Sequence, residues 1–203
     1  MSQSFLILGG ARSGKSSFAE KIAENLGETE VVYLATAQAL DQEMEDRIKH
    51  HQNQRPKDWK TVEEPIEVNK VLESIEKGKT VLMDCLTLYI SNMILKTEEL
   101  NDDENNLEQK VNIEKEIIEE IKKIITTAQA RDLNLIIVSN EVGQGVVPNN
   151  ELGRLFRDIA GRANQFTADK VDKVFLTVAG FPLDIKDIGL RNKSDFLENL
   201  KED

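Results

Sequence analysis

Gly9-Gly10-Ala11-Arg12-Ser13-Gly14-Lys15-Ser16 stands between an aliphatic run, Ser4 to Leu8, and a helical stretch, Lys15 to Leu26, and this context constrains the chain more than any other feature. Gly9 and Gly14 permit backbone conformations that turn successive N–H groups inward, the helix opening near Lys15 adds its positive end, and Lys15 adds a point charge. Together they make a cradle for a polyphosphate. Ser16 places a hydroxyl where Mg²⁺ rides on such phosphates, and a carboxylate ending a neighbouring strand completes that site. Asp84, closing Thr80-Val81-Leu82-Met83-Asp84, is the candidate; the alternative is a cap for a helix starting at Leu86.

Further β-branched or aliphatic runs fall at Val31 to Ala35, Thr80 to Asp84, Asn134 to Ser139 and Lys173 to Val178. Helical stretches lie between them: Asp41 to His51, Ile66 to Lys77, Leu86 to Lys96, Val111 to Arg131 and Glu151 to Ala168. Strands alternating with helices imply right-handed crossovers, hence an α/β fold of the P-loop NTPase type: a mostly parallel sheet with helices on both faces. With 203 residues the chain fills one such core, so residues 1–203 are expected to form a single domain. Ligands bind beyond the carboxyl ends of the strands, in the loops after Leu8, Ala35, Asp84 and Ser139. Residues 97–109 are acidic and polar and read as a solvated loop; residues 184–203 read as a charged tail in which Leu190, Phe196, Leu197 and Leu200 could form a short amphipathic helix.

Charge narrows the partners. The net charge of −11 opposes a general grip on nucleic acid, so a polyphosphate must be bound by a local device and no nucleic-acid partner is expected. No apolar run approaches the roughly 20 residues that cross a bilayer. The lone cysteine, Cys85, and a motif standing where a signal peptide would be cleaved point to a cytoplasmic protein.

The two histidines are adjacent, His50 and His51, at the end of the stretch that begins at Asp41. On a helix, Leu40, Met44, Ile48 and His51 form one apolar stripe, while His50 shares its side with Glu43 and Arg47. A histidine on an apolar stripe can be a satisfied core residue. A neutral imidazole beside a phosphate cradle can also attack phosphorus and hold the group as a phosphoramidate. Arg55 supplies a cation close by.

These residues, with Tyr33-Leu34-Ala35-Thr36-Ala37-Gln38, Arg55-Pro56 followed by Trp59, Asp84-Cys85-Leu86-Thr87, Ser139-Asn140-Glu141-Val142-Gly143, and Phe156-Arg157-Asp158 leading to Gly161, Asn164 and Gln165, carry a resemblance. Over roughly residues 5 to 186 the chain resembles the bifunctional adenosylcobinamide kinase/adenosylcobinamide-phosphate guanylyltransferase family of cobalamin nucleotide-loop assembly. The resemblance implies two reactions. A nucleoside triphosphate such as ATP phosphorylates adenosylcobinamide; GTP then gives GMP to a histidine, and adenosylcobinamide phosphate takes it to form adenosylcobinamide-GDP. It implies that His51 is the nucleophile, that Gly9, Gly10, Ala11, Arg12, Ser13, Gly14, Lys15 and Ser16 hold phosphates, and that Ala35, Thr36, Ala37, Gln52, Asn53, Gln54, Arg55, Glu63 and Asp84 line the nucleotide. A homotrimer is also implied. The stretch Gln52-Asn53-Gln54 is polar where relatives often carry a charge and a glycine.

For Asn140 and Glu141 a site role and a loop-structuring role are both open, and Arg154 and Arg157 could reach phosphate or pair with acidic neighbours such as Asp158. Two rival functions use the same cradle: a small-metabolite kinase with chemically silent histidines, and a nucleotide-dependent switch that alters a partner surface.

Overall fold

A computed structural model of the chain describes residues 2–27, 30–38, 56, 58–99 and 107–188. Its strands are β1 (Ser4–Gly9), β2 (Val31–Ala35), β3 (Lys60–Glu63), β4 (Thr80–Asp84), β5 (Asn134–Asn140), β6 (Lys173–Val178) and β7 (Phe181–Asp184). Its helices are α1 (Lys15–Gly27), α2 (Val68–Ser74), α3 (Leu86–Glu99), α4 (Leu107–Ala130), α5 (Glu151–Lys170) and α6 (Ile185–Ile188). The helix expected over Asp41 to His51 and the tail beyond 188 lie outside the described residues.

All seven strands form one sheet in the order β3-β2-β4-β5-β1-β6-β7. Every pair is parallel except β6 with β7. The central strands are buried along their length, as aliphatic runs covered on both sides must be. Alternation divides the apolar residues cleanly. Phe5, Ile7, Tyr33, Ala35, Leu82, Ile136 and Val138 pack with Ala19 and Ala23 of α1. Leu6, Leu8, Leu34, Val81, Met83, Leu135 and Ile137 pack with α2 to α5 on the opposite face.

The strands expected from the sequence are present, with β1 extended to Gly9 and β5 to Asn140. Two strands were not expected. β3 is a four-residue edge strand whose residues are largely exposed, so it lacks the apolar signature. β7 follows a two-residue turn in which Ala179 (φ 50°) and Gly180 (φ 85°) both adopt left-handed backbone, the geometry that lets a tight hairpin follow the strand twist. Three spans need correction. α2 begins at Val68 rather than Ile66, because the Glu64 carboxylate takes the backbone N–H groups of Ile66 and Glu67. The loop expected over 97–109 is helical at both ends, since α3 runs to Glu99 and α4 starts at Leu107. Likewise Asp184 to Ile188, expected in the tail, close β7 and form α6.

Candidate functional site

The Gly9–Ser16 turn joins β1 to α1 on the carboxyl edge of the sheet. Its curvature uses left-handed backbone at Arg12 (φ 58°) and Gly14 (φ 91°). Gly9 is needed for a different reason: a Cβ there would stand 2.4 Å from Ser13 Oγ and 2.7 Å from the Thr177 carbonyl of β6. The Gly180 N–H of the β6–β7 turn donates to Ser13 O at 2.8 Å, so the hairpin braces the loop from outside. Ser13 and Lys15 are buried, whereas Gly10, Ala11 and Arg12 are exposed along the rim.

Lys15 donates from Nζ to the Gly10 carbonyl at 3.1 Å and thus folds over the loop. Burial pushes its pKa down, while the nearby Cys85 and Asp84 hold it up. Both groups stand at or just past the end of β4, so the charge of that strand end reaches the ammonium.

Asp84 is on the α1 face, two residues beyond Leu82. The strand that carries it is not next to β1, because β5 lies between them. The neighbouring-strand expectation is therefore corrected: carboxylate and cradle face each other across one intervening strand. The Tyr33 hydroxyl donates to Asp84 Oδ2. Asp84 accepts the Tyr33 hydroxyl rather than a backbone N–H of α3, whose first turn closes with the Tyr89 N–H on Cys85 O at 3.1 Å. Tyr33 entered the sequence reading only as part of the resemblance, with no role assigned, though strand alternation from Ala35 places it on this face.

Ala35 pairs with both Asp84 and Glu63, so these three residues stand level across β4, β2 and β3 on the α1 side. Thr36 is fully buried. Its hydroxyl donates to Cys85 O and accepts from Cys85 N, both at 2.8 Å, while its carbonyl accepts from Asn92 Nδ2. Thr36 thus ties β2 to the start of α3, with its side chain turned away from the cradle. Ala37 is half-buried and Glu63 is exposed at the rim. His50, His51, Gln52, Asn53, Gln54 and Arg55 lie outside the described residues.

Asn140 and Glu141 divide their roles. Glu141 structures its loop, accepting the Gly143 N–H at 2.8 Å, and its own N–H meets Gly9 O at 3.1 Å. Asn140 donates from Nδ2 to the Thr87 hydroxyl at 2.7 Å. Arg154 holds the carbonyls of Pro148 and Asn149, and Arg157 pairs with Asp158 at 2.8 Å. Both arginines are committed to local structure. Among the described residues no group of three or more His, Cys, Asp or Glu could hold a metal unaided. The hard oxygens of Ser16 and Asp84 nevertheless suit Mg²⁺, which keeps few protein ligands and fills its sphere with water and phosphate. No described helix is long and apolar enough to cross a membrane.

The profile of the family described as Cobinamide kinase / cobinamide phosphate guanyltransferase matches residues 5–185. The chain is 38% identical over 186 residues to the Bifunctional adenosylcobalamin biosynthesis protein CobU of Escherichia coli (strain K12), covering 89% of this chain and 98% of that protein. It is 42% identical over 182 residues to the Bifunctional adenosylcobalamin biosynthesis protein CobP of Pseudomonas aeruginosa, covering 89% and 96%. Among solved structures, an ATPase from the type III secretion system of pathogenic bacteria superposes with a TM-score of 0.54 at 12% identity, over 95% of this chain and 59% of that one. That likeness concerns the fold alone.

Proposed function

The chain belongs to the cobinamide kinase / cobinamide phosphate guanyltransferase family, and from that premise we propose that it phosphorylates adenosylcobinamide and then guanylylates the product through a covalent histidine–GMP stage. The observation that carries the reading is the family match over residues 5–185. What the residues on the sheet edge add is a cradle of backbone N–H groups with Lys15 folded over it and Asp84 facing it. Such a site binds a triphosphate and serves transfer to either of two acceptors.

In the first step Lys15 and the N–H groups of Gly9 to Ser16 hold the triphosphate while its terminal phosphoryl group passes to the acceptor hydroxyl. In the second, His51 attacks the α-phosphorus of GTP, and pyrophosphate leaves against the charge of Lys15. The phosphoramidate keeps the transfer potential of the broken anhydride, so both substrates need not be held at once. Ser16 and Asp84 would hold Mg²⁺ against the phosphates, where the ion would neutralise charge on the departing group. Ala35 to Ala37, Gln52 to Arg55 and Glu63 would flank the nucleotide. The attacking imidazole must be neutral, so guanylyl transfer falls as pH drops through its pKa, about 6.5 for an unperturbed histidine. A homotrimer acting in the cytoplasm completes the reading; light scattering on the purified chain tests the trimer.

The test is incubation with Mg²⁺ and GTP labelled on the α-phosphate, then denaturation and mass analysis of the peptide holding His50 and His51. An acid-labile, alkali-stable GMP adduct on His51 is expected. His51→Ala should lose the adduct and keep kinase activity, while His50→Ala should keep both. Folded, GTP-binding protein that forms no adduct would leave a P-loop kinase as the better account.

A further inference from the structure

β5 separates the strand that delivers the cradle from the strand that ends in Asp84, so whatever stands at its carboxyl end lies between them. Asn140 stands there, in register with Gly9. Alternation from Ile136 and Val138, both packed on the α1 side, turns its side chain toward the cradle. Ser139 points the other way, where its hydroxyl meets Asn164 Oδ1 at 2.7 Å.

The carboxamide is held rather than loose. Nδ2 donates to the Thr87 hydroxyl at 2.7 Å, and Thr87 is buried with its oxygen 3.2 Å from Cys85 Sγ. The Asn140 backbone is fixed as well, since its carbonyl accepts Asn164 Nδ2 at 3.2 Å. α3 therefore anchors one side of the amide and α5 anchors its backbone. Oδ1 receives no donor among the described residues, and Asn140 is half-buried, so this oxygen faces the open edge. A fixed amide oxygen accepts a hydrogen bond but cannot take a proton.

We infer that Asn140 orients the acceptor hydroxyl in the phosphoryl-transfer step, with Thr87 as the residue that positions its carboxamide. The inference rests on the kinase reading above. In that step the hydroxyl oxygen bonds to the γ-phosphorus while the bond from that phosphorus to the β–γ bridging oxygen breaks. The nucleoside diphosphate leaves with the electron pair, and the hydroxyl proton passes to an oxygen of the transferred phosphoryl group. A hydroxyl brings a hydrogen for Oδ1 to accept. The nucleophiles of the guanylyl steps, a neutral imidazole nitrogen and an ionised phosphate, bring none to the reacting atom. Asn140 thus acts on one of two reactions that share a cradle.

The full-length chain carrying Asn140→Ala is assayed for both reactions: phosphorylation of adenosylcobinamide with ATP, and GMP transfer from α-labelled GTP to adenosylcobinamide phosphate. Misplacement of a reacting group by about 1 Å costs on the order of 100-fold. Kinase kcat should fall on that scale with the triphosphate KM little changed, and GMP transfer should stay within about threefold of wild type. Thr87→Val should give the same split more weakly, and Thr87→Ser should restore it. The GMP reaction is an internal check on folding; should Asn140→Ala fail it, the Thr87 pair carries the test. Equal loss of both reactions in the Thr87 variants, or full kinase activity in Asn140→Ala, overturns the inference while leaving the kinase reading intact. Wild-type protein that phosphorylates no adenosylcobinamide overturns both.

Discussion

Gly9→Ala should damage the protein through packing that no surface inspection would reveal. The added Cβ would lie 2.4 Å from Ser13 Oγ and 2.7 Å from Thr177 O, where ordinary contact begins at 3.4 Å. Ser13 can swing its hydroxyl aside by changing rotamer. Thr177 O cannot, because β6 is paired with β1 on one side and β7 on the other. The loop must therefore lift away from β6, weakening the 2.8 Å bond from Gly180 N to Ser13 O. Overpacking of this kind costs about 1 to 3 kcal/mol. For a domain of this size each kcal/mol lowers Tm by about 2 to 4 °C, so a fall of about 2 to 12 °C is expected by calorimetry. Each 1.4 kcal/mol of misfit that persists in the bound state weakens triphosphate binding about tenfold, readable by titration calorimetry. Gly10→Ala is the control: a Cβ there meets nothing within 4 Å. Its stability should stay within about 0.5 kcal/mol of wild type. Gly9→Ala that melts and binds like wild type, or an equally harmful Gly10→Ala, would overturn this account of the loop's packing against β6.

Three further outcomes follow from the same edge. Lys15→Met removes the ammonium that folds over the cradle and should lower both proposed reactions by about 100- to 1,000-fold in steady-state assays, while circular dichroism stays native. Thr36→Val leaves the buried N–H and carbonyl of Cys85 without the hydroxyl that serves both, which should cost about 1 to 3 kcal/mol in urea unfolding. Burial pushes the Cys85 thiol up to about 11 from 9.0, with the Asp84 charge adding to it. A group whose folded pKa is raised stabilises fully below its unfolded value and loses that contribution as pH climbs through the folded one. Unfolding free energy should therefore decline between pH 9 and about 11, and Cys85→Ala should flatten that part of the profile.

Much of the fold is legible in the sequence because buried parallel strands need β-branched or aliphatic runs, which β1, β2, β4 and β5 carry and which β6 keeps even though the polar Lys173 and Thr177 stand within it. The strands that escape notice are the two at the edges. β3 (Lys60–Glu63) has little to bury, and Phe181-Pro182-Leu183-Asp184 is too short, with Pro182 inside it, to read as a strand. The cradle is legible because its chemistry depends on residue types at fixed spacing. The brace beneath it is not, since Ala179 at left-handed φ is an uncommon choice for a hairpin turn and Thr177 acts there through its backbone. Tyr33 and Thr87 enter the sequence reading only as parts of the resemblance and Asn92 not at all, because each matters through a partner that only the fold brings near.

Strand order is the least legible property and has the largest consequence. Had β4 been β1's neighbour, Asp84 would stand beside Gly9 with no room for a further polar group. With β5 between them, Asn140 occupies the gap in register with Gly9, while Asp84 pairs with Val138, one side-chain repeat back. The level Glu63–Ala35–Asp84 and the level Gly9–Asn140 both fall on the α1 face, and small residues at Gly9 and Ala35 leave space between the polar ones. Side-chain alternation has period two, so slipping any one of these strands by a single residue would send its polar group into the opposite core, among Leu6, Leu34 and Ile137. The aliphatic residues that prevent the slip are thus also what turns Asp84 and Asn140 toward the cradle side of the sheet. Register and chemistry in this sheet are a single constraint, and polar substitutions at Leu82 or Val138 should disturb catalysis and stability together.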